Sequence, residues 1–79
     1  MNNVLYYAVT RGIKDSPDGE TPSVLHVTEE NNGYHVWFTS FEAGRDHLKW
    51  FDSPNAAIEY GVDTARRLKA AADYAKEAA

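Results

Sequence analysis

The side chains in this sequence best suited to chemistry are its three histidines, His26, His35 and His47. Imidazole ligates metals and exchanges protons near neutral pH. Their spacings, nine residues and then twelve, match no metal-binding motif. A zinc site also needs convergent ligands oriented by further hydrogen bonds. A catalytic histidine needs a nucleophile and an orienting carboxylate, and no such grouping is recognisable. The run Asp15-Ser16-Pro17-Asp18-Gly19-Glu20 has the acid content of a calcium loop. It lacks the alternating ligand spacing and the distant bidentate glutamate, so it reads as a solvated loop. Without cysteine there are no disulfides, thiolate zinc sites or thiol nucleophiles. The expectation is a non-enzymatic protein with no metal and no cofactor.

Charge is the next source of information. The net charge is −4, and binding to a nucleic-acid backbone needs a basic face. Direct nucleic-acid binding is therefore not expected. Between Lys14 and Arg45 there is no lysine or arginine, while Asp15, Asp18, Glu20, Glu29, Glu30 and Glu42 all fall in that stretch. Arg66, Arg67, Lys69 and Lys76 sit near the C-terminus instead. The start of the chain has neither a basic flank nor a long apolar run, so no signal peptide is expected. Nothing has the length of a membrane-spanning helix, and the expected location is cytoplasmic. At 79 residues, with 43% hydrophobic and 25% charged, residues 1–79 are expected to form one ordered domain.

The elements that must position these side chains follow from pattern. Val4 to Thr10 is rich in β-branched and aromatic residues and reads as a strand. Lys14 to Pro22, around Ser16-Pro17-Asp18-Gly19, reads as an exposed loop. Ser23–Glu29 and Tyr34–Phe41 read as strands joined through Asn32-Gly33, the preferred pair of a type I′ turn. That centre sets Asn31 against Tyr34, Glu29 against Val36 and Val27 against Phe38. Leu25, Val27, Val36 and Phe38 then share one face, and His26, Thr28, Glu30, His35, Trp37 and Thr39 the other. His47–Phe51 reads as a short fourth strand or an extended lead. Ser53-Pro54 is a helix-start signal, and good helix formers run from there to Ala79.

The buried stripe of that helix holds Ala57, Ile58, Gly61, Ala65, Leu68, Ala72 and Ala75. Small residues bring the helix close to the sheet, closest at Gly61. A helix of about 39 Å would outrun a strand of about 23 Å, so its last turns are expected to overhang the sheet and either to fray or to pack on something else. The fold expected is α+β: an antiparallel sheet of three or four strands with one long C-terminal helix on one face.

Three surfaces become candidates for a partner. The first is an acidic end, Asp15, Asp18, Glu20, Glu42 and Asp46, at which a meander places the first loop and the turn after the third strand together. Such a patch steers basic protein surfaces. The second is the outer sheet face, Tyr6, His26, His35 and Trp37, where exposed aromatics with a polar rim mark interaction sites. The third is Tyr74 on the helix overhang. Tyr60 is expected to pack on the sheet margin. A monomer or weak homodimer is expected, with a protein partner and no membrane.

Two resemblances add to this. Tyr6-Tyr7-Ala8-Val9 with Gly12 resembles the opening of the hybrid-binding domain of eukaryotic ribonucleases H. Lys49-x-Phe51-x-Ser53, with Ala57 and Tyr60, is similar to that domain's strand-to-helix step. The resemblance implies a nucleic-acid-binding module, with Trp37, Tyr6 and the histidines as a stacking platform. In size, charge and layout the chain also resembles small acidic phage-encoded inhibitors of the anti-CRISPR type. That likeness implies an inhibitor docking on a basic, nucleic-acid-binding surface of its target.

Overall fold

The β-branched and aromatic run near the N-terminus forms the first strand, β1 (Asn3–Arg11), in a computed structural model that describes residues 3–78. A short 3-10 turn, Ile13–Asp15, opens the loop to β2 (Ser23–Glu30). β3 (Gly33–Ser40), β4 (Gly44–Phe51) and the helix α1 (Pro54–Ala78) follow. The four strands form an antiparallel meander in the order β1-β2-β3-β4, with α1 packed on one side. The fold is α+β as expected. The fourth strand is longer than its apolar residues suggest, because Gly44, Arg45 and Asp46 continue the pairing with β3. The expected Ala79 end of the helix lies outside the described residues.

The β2–β3 turn corrects the expected register. Its central residues are Asn31 and Asn32, both at positive φ (50° and 64°), and Gly33 is already the first residue of β3. Glu29 pairs with Tyr34, Val27 with Val36, Leu25 with Phe38 and His26 with Trp37. Asparagine tolerates the left-handed region because its short polar side chain bonds locally, so two asparagines can hold a type I′ geometry. Gly33 serves packing instead. A Cβ there would overlap the Trp50 indole, coming within 2.8 Å of Cδ1. Every partner on β3 moves by two residues, which keeps each side chain on its expected face. The face assignment stands although the pairing does not.

Leu25, Val27 and Val36 are fully buried against Ala57, with Ala65 beside them. Tyr6, Ala8, Tyr34, Phe51, Tyr60 and Leu68 close this small core at its margin. Tyr60 stacks at a tilt on Phe51, 5.4 Å between centroids, as its helix-edge position implied. The helix starts with Ser53 accepting from the Ala56 amide at 3.4 Å through its hydroxyl, and Pro54 occupies the first turn. It then runs back across the sheet toward the β1–β2 loop.

The last turns of α1 pack on the first loop, the second of the two outcomes expected for an overhang. The Ile13–Asp15 turn comes up beneath them, so that Arg11, Asp15, Ala72, Ala75 and Lys76 line one groove. Lys76 Nζ lies 3.5 Å from Asp15 Oδ1. The loop extends the platform the strands alone do not provide. Tyr74 points away from it and is 74% exposed.

Gly61 is the point of closest approach between helix and sheet. A Cβ there would sit 2.7 Å from Val27 Cγ2 and 3.4 Å from Leu25 Cδ2. Alanine improves helix propensity by about 1 kcal/mol, but here it must push α1 off the core. Gly61→Ala should lower the free energy of unfolding by about 1–3 kcal/mol, read from urea denaturation. A stabilised variant would show that α1 is not seated as described.

Candidate interaction face

Helix α1 covers one side of the sheet, and among the described residues no element covers the other. What lies on the open side is decided strand by strand. On β2 and β3 simple alternation places Val24, His26 and Thr28 beside His35, Trp37 and Thr39. On β4 a bulge decides. The pairs Tyr34↔Phe51 to Val36↔Lys49 continue past Leu48, an extra residue, to Trp37↔His47. An unbroken ladder would set Leu48 opposite Trp37 and turn His47 to the helix side. The bulge therefore delivers His47 and Arg45 to the open face, while Lys49 remains with Phe51 and Tyr60 on the other.

All three histidines thus meet around Trp37. The Trp37 ring lies 6.4 Å from His26, 6.0 Å from His35 and 4.8 Å from His47, centroid to centroid. Arg45 places its guanidinium carbon 4.0 Å from the Trp37 ring centre, a cation–π contact. Beneath the ring, the Trp37 indole N–H donates to Thr28 Oγ1 at 2.9 Å. The Thr28 hydroxyl donates in turn to Glu30 Oε2 at 2.7 Å. That bond, helped by the charges of His35 and Arg45, holds the Glu30 carboxyl below its ordinary pKa. Burial, with the charge of Arg45, holds His26 below the usual imidazole value. His35 and His47 sit with Nδ1 and Nε2 2.9 Å apart.

Tyr6 does not belong to this face. Leu5 is an extra residue in β1, and the ladder resumes with Tyr6 opposite Val27. Tyr6 therefore packs under α1, within van der Waals reach of Gly61. Its neighbour Tyr7, opposite His26, takes the outer position together with Val4 and Val9. Both alternating sets of β1 are apolar, so alternation alone could not choose between Tyr6 and Tyr7. The open face also gains Trp50, opposite His35. Tyr7, Val4, Val9 and Trp50 are the exposed apolar members of the face, and none of them was a sequence candidate. For Tyr7 and Trp50 the aromatic type was a signal, but the bulges that orient β1 and β4 leave no mark in the sequence.

The acidic candidates divide. Asp15, Asp18 and Glu42 gather around Arg11, whose guanidinium pKa they raise, led by its hydrogen bond to Glu42. Arg11 Nη2 donates to Glu42 Oε2 at 2.9 Å. Asp18 accepts from the Ser16 hydroxyl, the Thr21 hydroxyl and the amides of Glu20 and Thr21. These bonds, the Ser16 one first, hold its carboxyl far below the usual range. Asp15 faces Lys76. Most of this acid is engaged in closing the loop and the β3–β4 turn. Glu20 and Asp46 are exposed, and Asp46 is paired opposite Phe38, on the helix side of β4.

Among the described residues, no group of three or more His, Asp or Glu side chains could hold a metal ion. Nor, among those residues, is any helix long and apolar enough to cross a membrane. What the fold and the face define is an α+β domain with a helix-backed sheet and an uncovered aromatic–imidazole surface. No family model, curated protein or solved structure matches this chain.

Two measurements check this account. Trp37 is half-buried and lies outside the core, so Trp37→Ala should cost about 1 kcal/mol, the scale of a lost cross-strand pair. Leu25→Ala should cost roughly 2–5 kcal/mol. Denaturation midpoints compared side by side would reverse this order if the helix covered the Trp37 side. The second check is acid sensitivity. Asp18, Glu30 and Glu42 have folded pKa values below the ordinary ones, so their contribution is present above the unfolded carboxylate pKa of about 4. It is lost as pH falls through the folded values. The thermal midpoint should drop between about pH 5 and pH 2, and Asp18→Ala should flatten that drop. Parallel acid limbs for wild type and variant would remove Asp18 from the explanation.

Proposed function

We propose that this protein is a non-enzymatic binding domain that engages a protein partner through the helix-free face of its sheet. One observation carries the reading: Trp37 sits amid His26, His35, His47 and Arg45, with exposed Tyr7, Val4, Val9 and Trp50 on the same face. Tryptophan, tyrosine and arginine dominate binding hot spots because each offers a large contact area with a polar or charged end. Exposed aromatic and aliphatic side chains gathered on one face mark an interaction site. The face carries one full positive charge, Arg45, close to the negative Glu30, so its own balance supports a protein surface over a phosphate backbone.

A second reading is supported by the acidic end, where Asp15, Asp18 and Glu42 lie within electrostatic reach of Arg11. In that reading the end steers a basic surface, as a phage-type inhibitor of a nucleic-acid-binding target would require. Arg11 and Lys76 offset part of that charge, so it ranks below the sheet face.

The two readings separate in a capture experiment with three baits. Wild type, the double variant Tyr7→Ala/Arg45→Ala and the double variant Glu20→Ala/Asp46→Ala are compared for the proteins each retains from a lysate. Loss of the wild-type partner with the first variant alone is the expected result. Retention by the first variant, with loss by the second, would transfer the function to the acidic end.

A further inference from the structure

One short polar contact on the open face joins two imidazole rings. His35 stands on β3 and His47 diagonally across from it on β4, placed there by the Leu48 bulge. Their rings are 5.1 Å apart with a 56° tilt, and Nδ1 of His35 is 2.9 Å from Nε2 of His47. In the neutral pair one of these nitrogens carries the hydrogen and the other accepts it.

The same separation is the bite of a metal chelate. Two imidazole nitrogens at about 2.0–2.1 Å from one ion lie about 2.9 Å apart when the angle at the metal is 90°. A tetrahedral angle spreads them to about 3.3 Å. The observed 2.9 Å therefore fits adjacent corners of a square-planar or tetragonal ion. That geometry belongs to copper(II) and nickel(II), and copper(II) stands highest in affinity for nitrogen ligands. We infer that His35 Nδ1 and His47 Nε2 form a two-imidazole site for a square-planar divalent cation, copper(II) in first place.

The chemistry of loading is simple. The hydrogen between the rings moves to the outer nitrogen of its own ring, and the metal takes its place, so both imidazoles stay neutral. His47 is exposed and His35 half-buried, and loading requires the rings to turn from their mutual hydrogen bond so that both lone pairs meet at one point. Glu30, Asn31 and Trp37 line the same shallow depression. The Glu30 carboxylate favours a cation there, and Arg45 over the Trp37 ring opposes it. With two protein ligands the remaining corners go to water or to a donor on a docked partner. The ion is then exchangeable, unlike one in a closed structural site. The site does not depend on the proposed partner, and its test uses the free protein.

The measurement is titration of the purified chain with copper(II), nickel(II) and zinc(II) salts in a non-coordinating buffer, read by tryptophan fluorescence. Trp37 lies 4.8 Å from the His47 ring, close enough for a bound paramagnetic ion to quench it. Copper(II) should quench saturably at one ion per chain in the micromolar range and nickel(II) more weakly, and diamagnetic zinc(II) should reverse the copper(II) quench by competition only at an excess on the order of tenfold, by the affinity series. His35→Asn and His47→Asn should each weaken copper(II) by at least about tenfold, as removal of half the ligand set requires. His26→Asn, on the far side of Trp37, should leave it unchanged. Independently of any variant, the electron paramagnetic resonance spectrum of the loaded protein should show coupling to two imidazole nitrogens. Unaltered copper(II) binding in His47→Asn, or a spectrum without the two nitrogens, would overturn the site.

Discussion

The contact between Gly61 and Val27 is the one on which the rest of this molecule depends. A domain of this size buries only a modest share of its surface, and here the fully buried side chains are Leu25, Val27 and Val36. They are covered by a helix whose facing residues, Ala57, Gly61 and Ala65, contribute almost no side-chain volume. Such a helix stabilises by proximity. The missing Cβ at Gly61 lets the α1 backbone settle onto Val27, and the larger margin residues Tyr6, Phe51, Tyr60 and Leu68 seal the gap. One close contact thus fixes the height of the helix over the sheet and decides which aromatic of each strand must lie beneath it.

The same constraint explains the other face. With α1 used up on one side, the second side must be stabilised within the sheet itself. There the side chains do not stack into a core. They lie against one another across strands, with Arg45 over Trp37, histidines around its rim, and the chain of bonds from Trp37 through Thr28 to Glu30 beneath. Each contact is worth a fraction of a kcal/mol up to about 1 kcal/mol. Together they hold a large, half-buried indole in place on the sheet. A surface built this way is preorganised, since its aromatic groups are already held before a partner arrives.

Much of this was legible in the sequence, and what was not has a common cause. The helix start at Ser53-Pro54, the seat at Gly61, and the core membership of Leu25, Val27 and Val36 follow from capping, residue size and alternation. The faces of β2 and β3 follow too, although the turn is centred on Asn31-Asn32 and not on Asn32-Gly33, because both registers keep the same parity. Alternation fails where an extra residue enters a strand. Leu5 precedes Tyr6 where the β1–β2 ladder resumes, and Leu48 moves His47 and Arg45 to the open face. Neither leucine looks like a bulge residue. Each bulge is a compromise between strand pairing and the demand of α1 for particular side chains beneath it, which is tertiary information. Gly33 misled for the same reason: its freedom is steric, beneath Trp50, and its backbone needs no positive φ.

The charge distribution takes on a different meaning once the helix direction is known. The C-terminal end of α1, with its unpaired carbonyls and partial negative charge, points at the end of the sheet that holds Asp15, Asp18 and Glu42. Left alone, that arrangement would be repulsive. Lys76 in the last turn stands against Asp15, and Arg11, turned to the helix side after a second extra residue at Thr10, binds Glu42. Asp18 directs its oxygens inward, onto amides and hydroxyls of its own loop. Asp15, Asp18 and Glu42 in this way close the loop and seat the end of the helix. The aromatic–imidazole face has no such internal task beyond holding itself flat. The proposed partner surface and the proposed metal site rest on its exposed aromatic edges and on the paired nitrogens of His35 and His47.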